Sequence, residues 1–150
     1  MEVYELTGKS FSSFNQTYIE AQSIFRYNSI RIGLDLPREA LYARIDKRVD
    51  IMMKNGLLNE VHCLKEKGLD LSFPAMQSIG YKQLFQHLNG EFSLEEAVME
   101  IKKATRHLAK RQLTWFRRDA GITWFDCSDP DSLIFNIKQL IDERLHERSK

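Results

Sequence analysis

Chain breakers and thiols are scarce in this sequence. Its 150 residues include 7 glycines, 3 prolines and 2 cysteines. So few breakers exclude collagen-like and low-complexity chains, and they favour long helices over a many-turned β-sandwich. Cys63 and Cys127 stand far apart with no C-x-x-C pair, so neither a disulfide framework nor a cysteine zinc site is expected; both are expected to be reduced, buried thiols. His62, His87, His107 and His146 never pair at i,i+4 around a carboxylate, so no metal site is expected either. No stretch approaches the roughly 18 apolar residues that span a bilayer, and no membrane partner is expected. The start, Met1 to Glu5, has no basic or apolar leader, which points to a cytoplasmic protein. With 43% apolar and 29% charged residues, the chain fits one globular domain or a part of one.

The net charge of +1 hides a local imbalance. Residues 1–50 carry seven basic and seven acidic side chains, residues 51–100 four and seven, and residues 101–150 eleven and seven. Between Lys102 and Arg118 there are seven Lys or Arg and no Asp or Glu. Asymmetry of this kind points to an anionic partner.

Periodicity gives a predominantly helical α/β chain with two short strands, about 30–36 and 122–126, and about five helices. A helix is expected over residues 2–7, with Gly8 as its stop, followed by an irregular stretch from Phe11 to Asn28. Pro37 opens a helix with the stripe Leu41, Ile45, Val49, Met52 and Met53, which Asn55-Gly56 ends. A shorter helix carries Leu57, Leu58, Val61 and Leu64. A third is expected to carry Met76, Ile79, Leu84 and Leu88. Ser93-Leu94-Glu95-Glu96 is a capping box. The helix behind it is expected to run to Asp119, about 26 residues and about 39 Å. Asp129-Pro130 starts a last helix, and residues 147–150 form a tail.

At 3.6 residues per turn, every cation from Lys102 to Arg118 falls on one half of this long helix. The other half collects Ile101, Ala104, Leu108, Ala109, Trp115 and Phe116. A solvated charged face usually mixes signs through i,i+4 pairs, and this window contains no acid to make one. Phosphate binding is the expected use, positioning a nucleic acid rather than reading its sequence. Gln112 falls mid-way along the apolar half, where a buried amide needs a hydrogen-bond partner; a structural partner is expected, with a substrate contact as the alternative.

Other motifs carry less. Thr7-Gly8-Lys9-Ser10 resembles the tail of a phosphate-binding loop, but Val3 stands where its first glycine belongs. Asp46 and Asp50 share a helix face beside Lys47 and Arg48, which suits surface charge balance better than acid–base catalysis. Gly80 interrupts a helical pattern among Gln77, Tyr81, Lys82 and Gln83; close approach of a ligand or backbone would justify it, and plain helix–helix contact is the simpler alternative.

Three stretches together resemble one family. Glu2 to Lys9 (EVYELTGK) is similar to the ALEVYELTGKP segment of the tRNA dimethylallyltransferases, also called tRNA isopentenyltransferases. Pro74 to Gln83 (PAMQSIGYKQ) is similar to their AMQxIGYKE signature, and Thr105 to Arg117 (TRHLAKRQLTWFR) to their TRxxAKRQxTWFR signature. The segments Leu34 to Leu41 and Trp124 to Asp126 also fit. The resemblance implies the C-terminal portion of a nucleotide-binding, P-loop NTPase-like fold with a parallel sheet. Residues 1–28 would be the end of an inserted helical region and its return loop, and 29–150 core helices and strands. Met1 stands where the family has Leu, which suits a chain begun at an internal point, and the phosphate-loop half is expected to be missing.

The family's activity would be transfer of a dimethylallyl group from dimethylallyl diphosphate to N6 of the adenosine next to a tRNA anticodon, with Mg²⁺ assisting. The resemblance then implies tRNA contact for Arg106, His107, Lys110 and Arg111, with Arg117 as an outlying candidate. Lys82, Gln77, Tyr81 and Gln112 would lie near the diphosphate or line the active-site side. No catalytic or metal-binding residue is expected in this chain. The whole enzyme is expected to be monomeric, the chain alone inactive and prone to self-association. A stand-alone RNA-binding helical module is the alternative reading.

Overall fold

The computed structural model describes Gly8 and residues 29–146. The expected helix over 2–7, the irregular stretch 11–28 and the tail lie outside the described residues. Contacts divide the chain into Met1–Arg31 and Ile32–Lys150. In order come β1 (Arg31–Asp35), α1 (Arg38–Lys54), α2 (Leu57–Glu66), a 3₁₀ turn (Pro74–Gln77), α3 (Tyr81–Leu88), α4 (Leu94–Phe116), β2 (Ile122–Asp126) and α5 (Pro130–His146). The mixed, mainly helical class expected from periodicity holds, with five helices and two strands among the described residues.

β1 and β2 form a two-stranded parallel sheet. The Cys127 amide donates to the Asp35 carbonyl at 2.9 Å, so the two strands end together and Gly33 lies beside Trp124. Gly33 is there because the Trp124 indole folds over it. A Cβ built on Gly33 would stand 2.6 Å from Trp124 Cε3 and 2.8 Å from Ile122 Cγ2.

The core is made by α1, α2, the 3₁₀ turn, α3 and the first half of α4. Val49, Val61, Met76, Leu84, Phe85, Ala97 and Ile101 are buried there as one cluster. Each large member contributes about 1.5–3 kcal/mol by leaving water. Ser93 and Glu96 make the expected capping box at the start of α4: the Ser93 hydroxyl accepts from the Glu96 amide, and the Ser93 amide donates to the Glu96 carboxylate at 2.8 Å.

Four expectations need correction. The third helix does not begin at Met76: Ser78 is extended, Gly80 takes φ +101°, and α3 starts only at Tyr81. Gly80 therefore reflects a backbone conformation closed to other residues rather than a close approach, since an added Cβ would meet only Leu57 Cδ2 at 3.8 Å. Gln83 stabilises the turn by accepting from the Gly80 amide at 2.9 Å. Second, α4 stops at Phe116, so it has 23 residues and is about 34 Å long at 1.5 Å per residue.

Third, the apolar flank of α4 is packed only in its first half. Trp115 is 67% exposed and Phe116 and Leu108 are exposed too, because nothing among the described residues lies over this half. Gln112 is exposed for the same reason, not buried as expected. α5 likewise has no buried residue, and Ile134, Phe135 and Leu145 face outward. Fourth, the cysteines are free thiols as expected but not buried ones. Cys63 is exposed and Cys127 half-buried, Cys63 being two residues along α2 from the buried Val61 and so on a different side.

Candidate nucleic-acid interface

The basic helix does not stand alone. α1 lies against α4, and each presents a ridge of residues spaced by four: Arg38, Tyr42, Asp46 and Asp50 on α1; Lys102, Arg106, Lys110 and Thr114 on α4. The ridges run in opposite directions, so the acids of one meet the cations of the other. Lys102 Nζ lies 2.6 Å from Asp50 Oδ1. Arg106 holds Asp46 through two parallel bonds, Nε to Oδ1 at 3.0 Å and Nη2 to Oδ2. The Arg106 guanidinium also lies 5.6 Å from the Tyr42 ring centre, and Arg38 lies 5.1 Å from the same ring.

These contacts revise the picture of an unmatched basic face. Lys103 is bound to Glu100, just outside the acid-free window, at 2.9 Å, and Arg117 to Asp35 at 2.6 Å. Four of the seven cations thus have carboxylate partners, three of them supplied by α1 or β1. Asp46 and Asp50 do not balance Lys47 and Arg48; they are the partners of α4. The cations with no acidic partner among the described residues are Lys110, Arg111 and Arg118. All three are exposed in the second half of α4 and the turn after it, and exposed His107 lies alongside.

Between the upper ends of the ridges is a cleft of about 280 Å³. Lys110, Thr114 and Arg117 form one side and Arg38 and Tyr42 the other; Asp35 and three leucines complete it. Both carboxylate oxygens of Asp35 have partners, Arg117 on Oδ2 and the Leu36 amide on Oδ1 at 2.9 Å. Arg106, Lys110 and Arg117, three of the residues singled out in the sequence, therefore lie in or next to one place. His107 and Arg111 share the outer face of the same helix.

Gln77, Tyr81 and Lys82 are not among the residues around this cleft. The Gln77 amide donates to the Leu71 carbonyl, and the Tyr81 hydroxyl donates to Glu60 of α2. The Glu60 bond holds the Tyr81 phenol above its ordinary pKa, with some loss of solvent adding to the effect. Lys82 is exposed on the first turn of α3.

Arg38, Tyr42 and Asp35 escaped notice in the sequence. The i,i+4 row from Arg38 to Asp50 is the signal that would have found the first two. Among the described residues no group of three or more His, Cys, Asp or Glu is placed to hold a metal ion, and no helix is long and apolar enough to cross a membrane.

A parallel strand pair with a helical layer and a basic helix carrying a TR-x-x-AKRQ-x-TWFR run defines a class. The model of the family described as IPP transferase matches residues 1–119, and the chain belongs to that family. The tRNA dimethylallyltransferase of Syntrophomonas wolfei is 50% identical over 140 residues, covering 91% of this chain and 44% of that protein. That of Halalkalibacterium halodurans is 41% identical over 152 residues, covering 100% and 48%.

Two crystal structures are similar. The Staphylococcus epidermidis tRNA delta(2)-isopentenylpyrophosphate transferase superposes with a TM-score of 0.74 at 38% identity, over 95% of this chain and 46% of that one. The full-length tRNA isopentenylpyrophosphate transferase of Bacillus halodurans gives 0.77 at 36% identity, over 99% and 52%. The chain spans about half the length of these relatives and matches their C-terminal part.

Proposed function

We propose that this chain supplies the tRNA-holding portion of a tRNA dimethylallyltransferase. In the whole reaction the N6 amine of the adenosine beside the anticodon attacks C1 of dimethylallyl diphosphate. The C–O bond breaks, diphosphate leaves with its electron pair, and the amine gives up a proton to a base outside this chain. The observation that carries the reading is the exposed band of Lys110, Arg111 and Arg118, cations left unmatched where α1's acids run out, with exposed His107 alongside. Such a band suits a ribose-phosphate backbone, whose counterions it displaces. Tyr81 and Lys82 at the start of α3, Gln77 in the 3₁₀ turn before it, and Gln112 on α4 are assigned to the active-site side.

Mg²⁺ would be bound elsewhere in the whole enzyme. Asp35, Asp46 and Asp50, the carboxylates nearest the band, are already held by cations. We read the whole enzyme as a cytoplasmic monomer and this chain, whose Trp115, Phe116 and Phe135 are exposed, as prone to self-association.

The test is binding of an anticodon stem-loop RNA, followed across a salt series. Affinity is expected to fall steeply with salt and to fall further in Lys110→Ala and Arg111→Ala. Salt-insensitive binding, or none, would refute the assignment. The 150-residue chain alone is expected to transfer no dimethylallyl group to that RNA, and measurable turnover would overturn that part.

A further inference from the structure

The two facing ridges are matched in charge at one end only. Asp50 and Asp46 neutralise Lys102 and Arg106, but the next positions bring Arg38 and Tyr42 opposite Lys110 and Thr114. Arg117 joins them. Three cations thus surround a cleft whose one carboxylate, Asp35, is consumed by Arg117 and a backbone amide. Like charges converging on a concavity repel, and an anion placed between them removes the repulsion.

We propose that this cleft is a phosphate-group site. Arg38 and Lys110 supply the uncompensated charge, and Arg117, fixed by Asp35, offers its remaining N–H donors. The Thr114 hydroxyl already donates to the Lys110 carbonyl at 2.9 Å, so recognition falls to the cations. Ligand pockets for drug-sized molecules run from about 300 to 1,000 Å³. At about 280 Å³ this cleft has room for a phosphoryl or diphosphoryl group. Tyr42 cannot serve as a stacking platform on both faces, because Arg38 and Arg106 already approach its ring. The ligand is therefore recognised by its charged oxygens, whether they belong to an RNA backbone or to a free diphosphate. The cleft shares Lys110 with the proposed tRNA-holding band, but its occupation by free diphosphate requires no RNA.

The experiment is an NMR titration of the 150-residue chain with sodium diphosphate at constant ionic strength. Saturable shifts of the Arg38, Lys110 and Arg117 amides are expected. Arg38→Gln and Lys110→Gln, both at exposed positions, are each expected to weaken binding about tenfold, the order of one charge-assisted hydrogen bond. Lys138→Gln on α5 serves as the control and should leave binding unchanged. Absence of saturable shifts, or equal binding by the Arg38→Gln/Lys110→Gln double variant, would overturn the site. Adding stem-loop RNA separates the two sources. Displacement of diphosphate supports an RNA phosphate as occupant, and joint binding supports a free diphosphate. Diphosphate binding with no RNA binding would leave the cleft standing and refute the tRNA reading.

Discussion

Arg106 and Asp46, 60 positions apart, are joined by two parallel N–H···O bonds across the α1–α4 contact. This pairing ties the basic helix to the core helix next to it. It also turns a cation that the sequence offers for RNA toward a structural partner. Both side chains are about one-third exposed, so solvent screens the pair and its contribution is moderate.

Asp46→Ala is accordingly expected to lower stability by about 1 kcal/mol, the upper end for a screened but bidentate pair. A double-mutant cycle with Arg106→Ala should return a coupling of about 0.5–1 kcal/mol. A coupling near zero would show the two bonds to be unimportant in solution. Releasing Arg106 adds a cation to the exposed band, so Asp46→Ala should bind stem-loop RNA more tightly than the parent while being less stable.

The exposed and matched cations should separate cleanly in their salt dependence. Removing one cation that neutralises a phosphate lowers the slope of log K against log salt by about 0.7–0.9. Arg111→Ala is expected to show that reduction in full. Lys102→Ala, whose ammonium is bound to Asp50 at 2.6 Å, is expected to leave the slope unchanged. Equal slopes for both variants would mean that the ion pairs open when RNA binds.

The helices were legible because their apolar spacing is regular, although the start of α3 and the end of α4 were not. Val49 and Ile101 lie on the expected stripes, and Ser93 and Glu96 form the cap their spacing predicts. The charge pattern was legible only within one helix. No acid occurs from Lys102 to Arg118, yet Asp46 and Asp50 reach that stretch from another helix, and pairing across elements leaves no mark in a local window. Gln112 and Trp115 failed for a related reason: amphipathic spacing shows which side of α4 is apolar, not whether anything lies on it. The same limit hid the cleft, whose wall is shared between residues 35–42 and 110–117.

Two glycines should respond to substitution for different reasons. Gly33→Ala puts a methyl into the Trp124 ring, an overpacking expected to cost about 1–3 kcal/mol. Shortening Trp124 to Leu in the same chain should recover part of that loss. Gly80→Ala meets no close atom but forces φ +101° on a residue with a Cβ, at about 1–3 kcal/mol. Trimming its neighbour Leu57 should recover nothing. Urea denaturation of the single and double variants checks both. Recovery at Gly80, or none at Gly33, would reverse the assignment.

Stability should fall at both ends of the pH range for identifiable reasons. The Ser93 amide, and then its hydroxyl, hold the Glu96 carboxyl below its ordinary pKa; Ser132 does the same for Asp129 at the start of α5. A carboxyl with a lowered folded pKa contributes stability in full above the unfolded value, about 4. That contribution is lost as pH drops through the lowered value. Tyr81 works in the opposite sense. Its raised pKa stabilises the fold below the unfolded phenol value, about 10, and the contribution disappears as pH climbs through the higher folded value. Melting temperatures measured from pH 2 to pH 11 (about the usable range on either side of these groups) should show a plateau with two falling limbs. Glu96→Gln should flatten part of the acid limb and Tyr81→Phe part of the alkaline one. An acid limb unchanged in Glu96→Gln would place the acid sensitivity in other carboxylates.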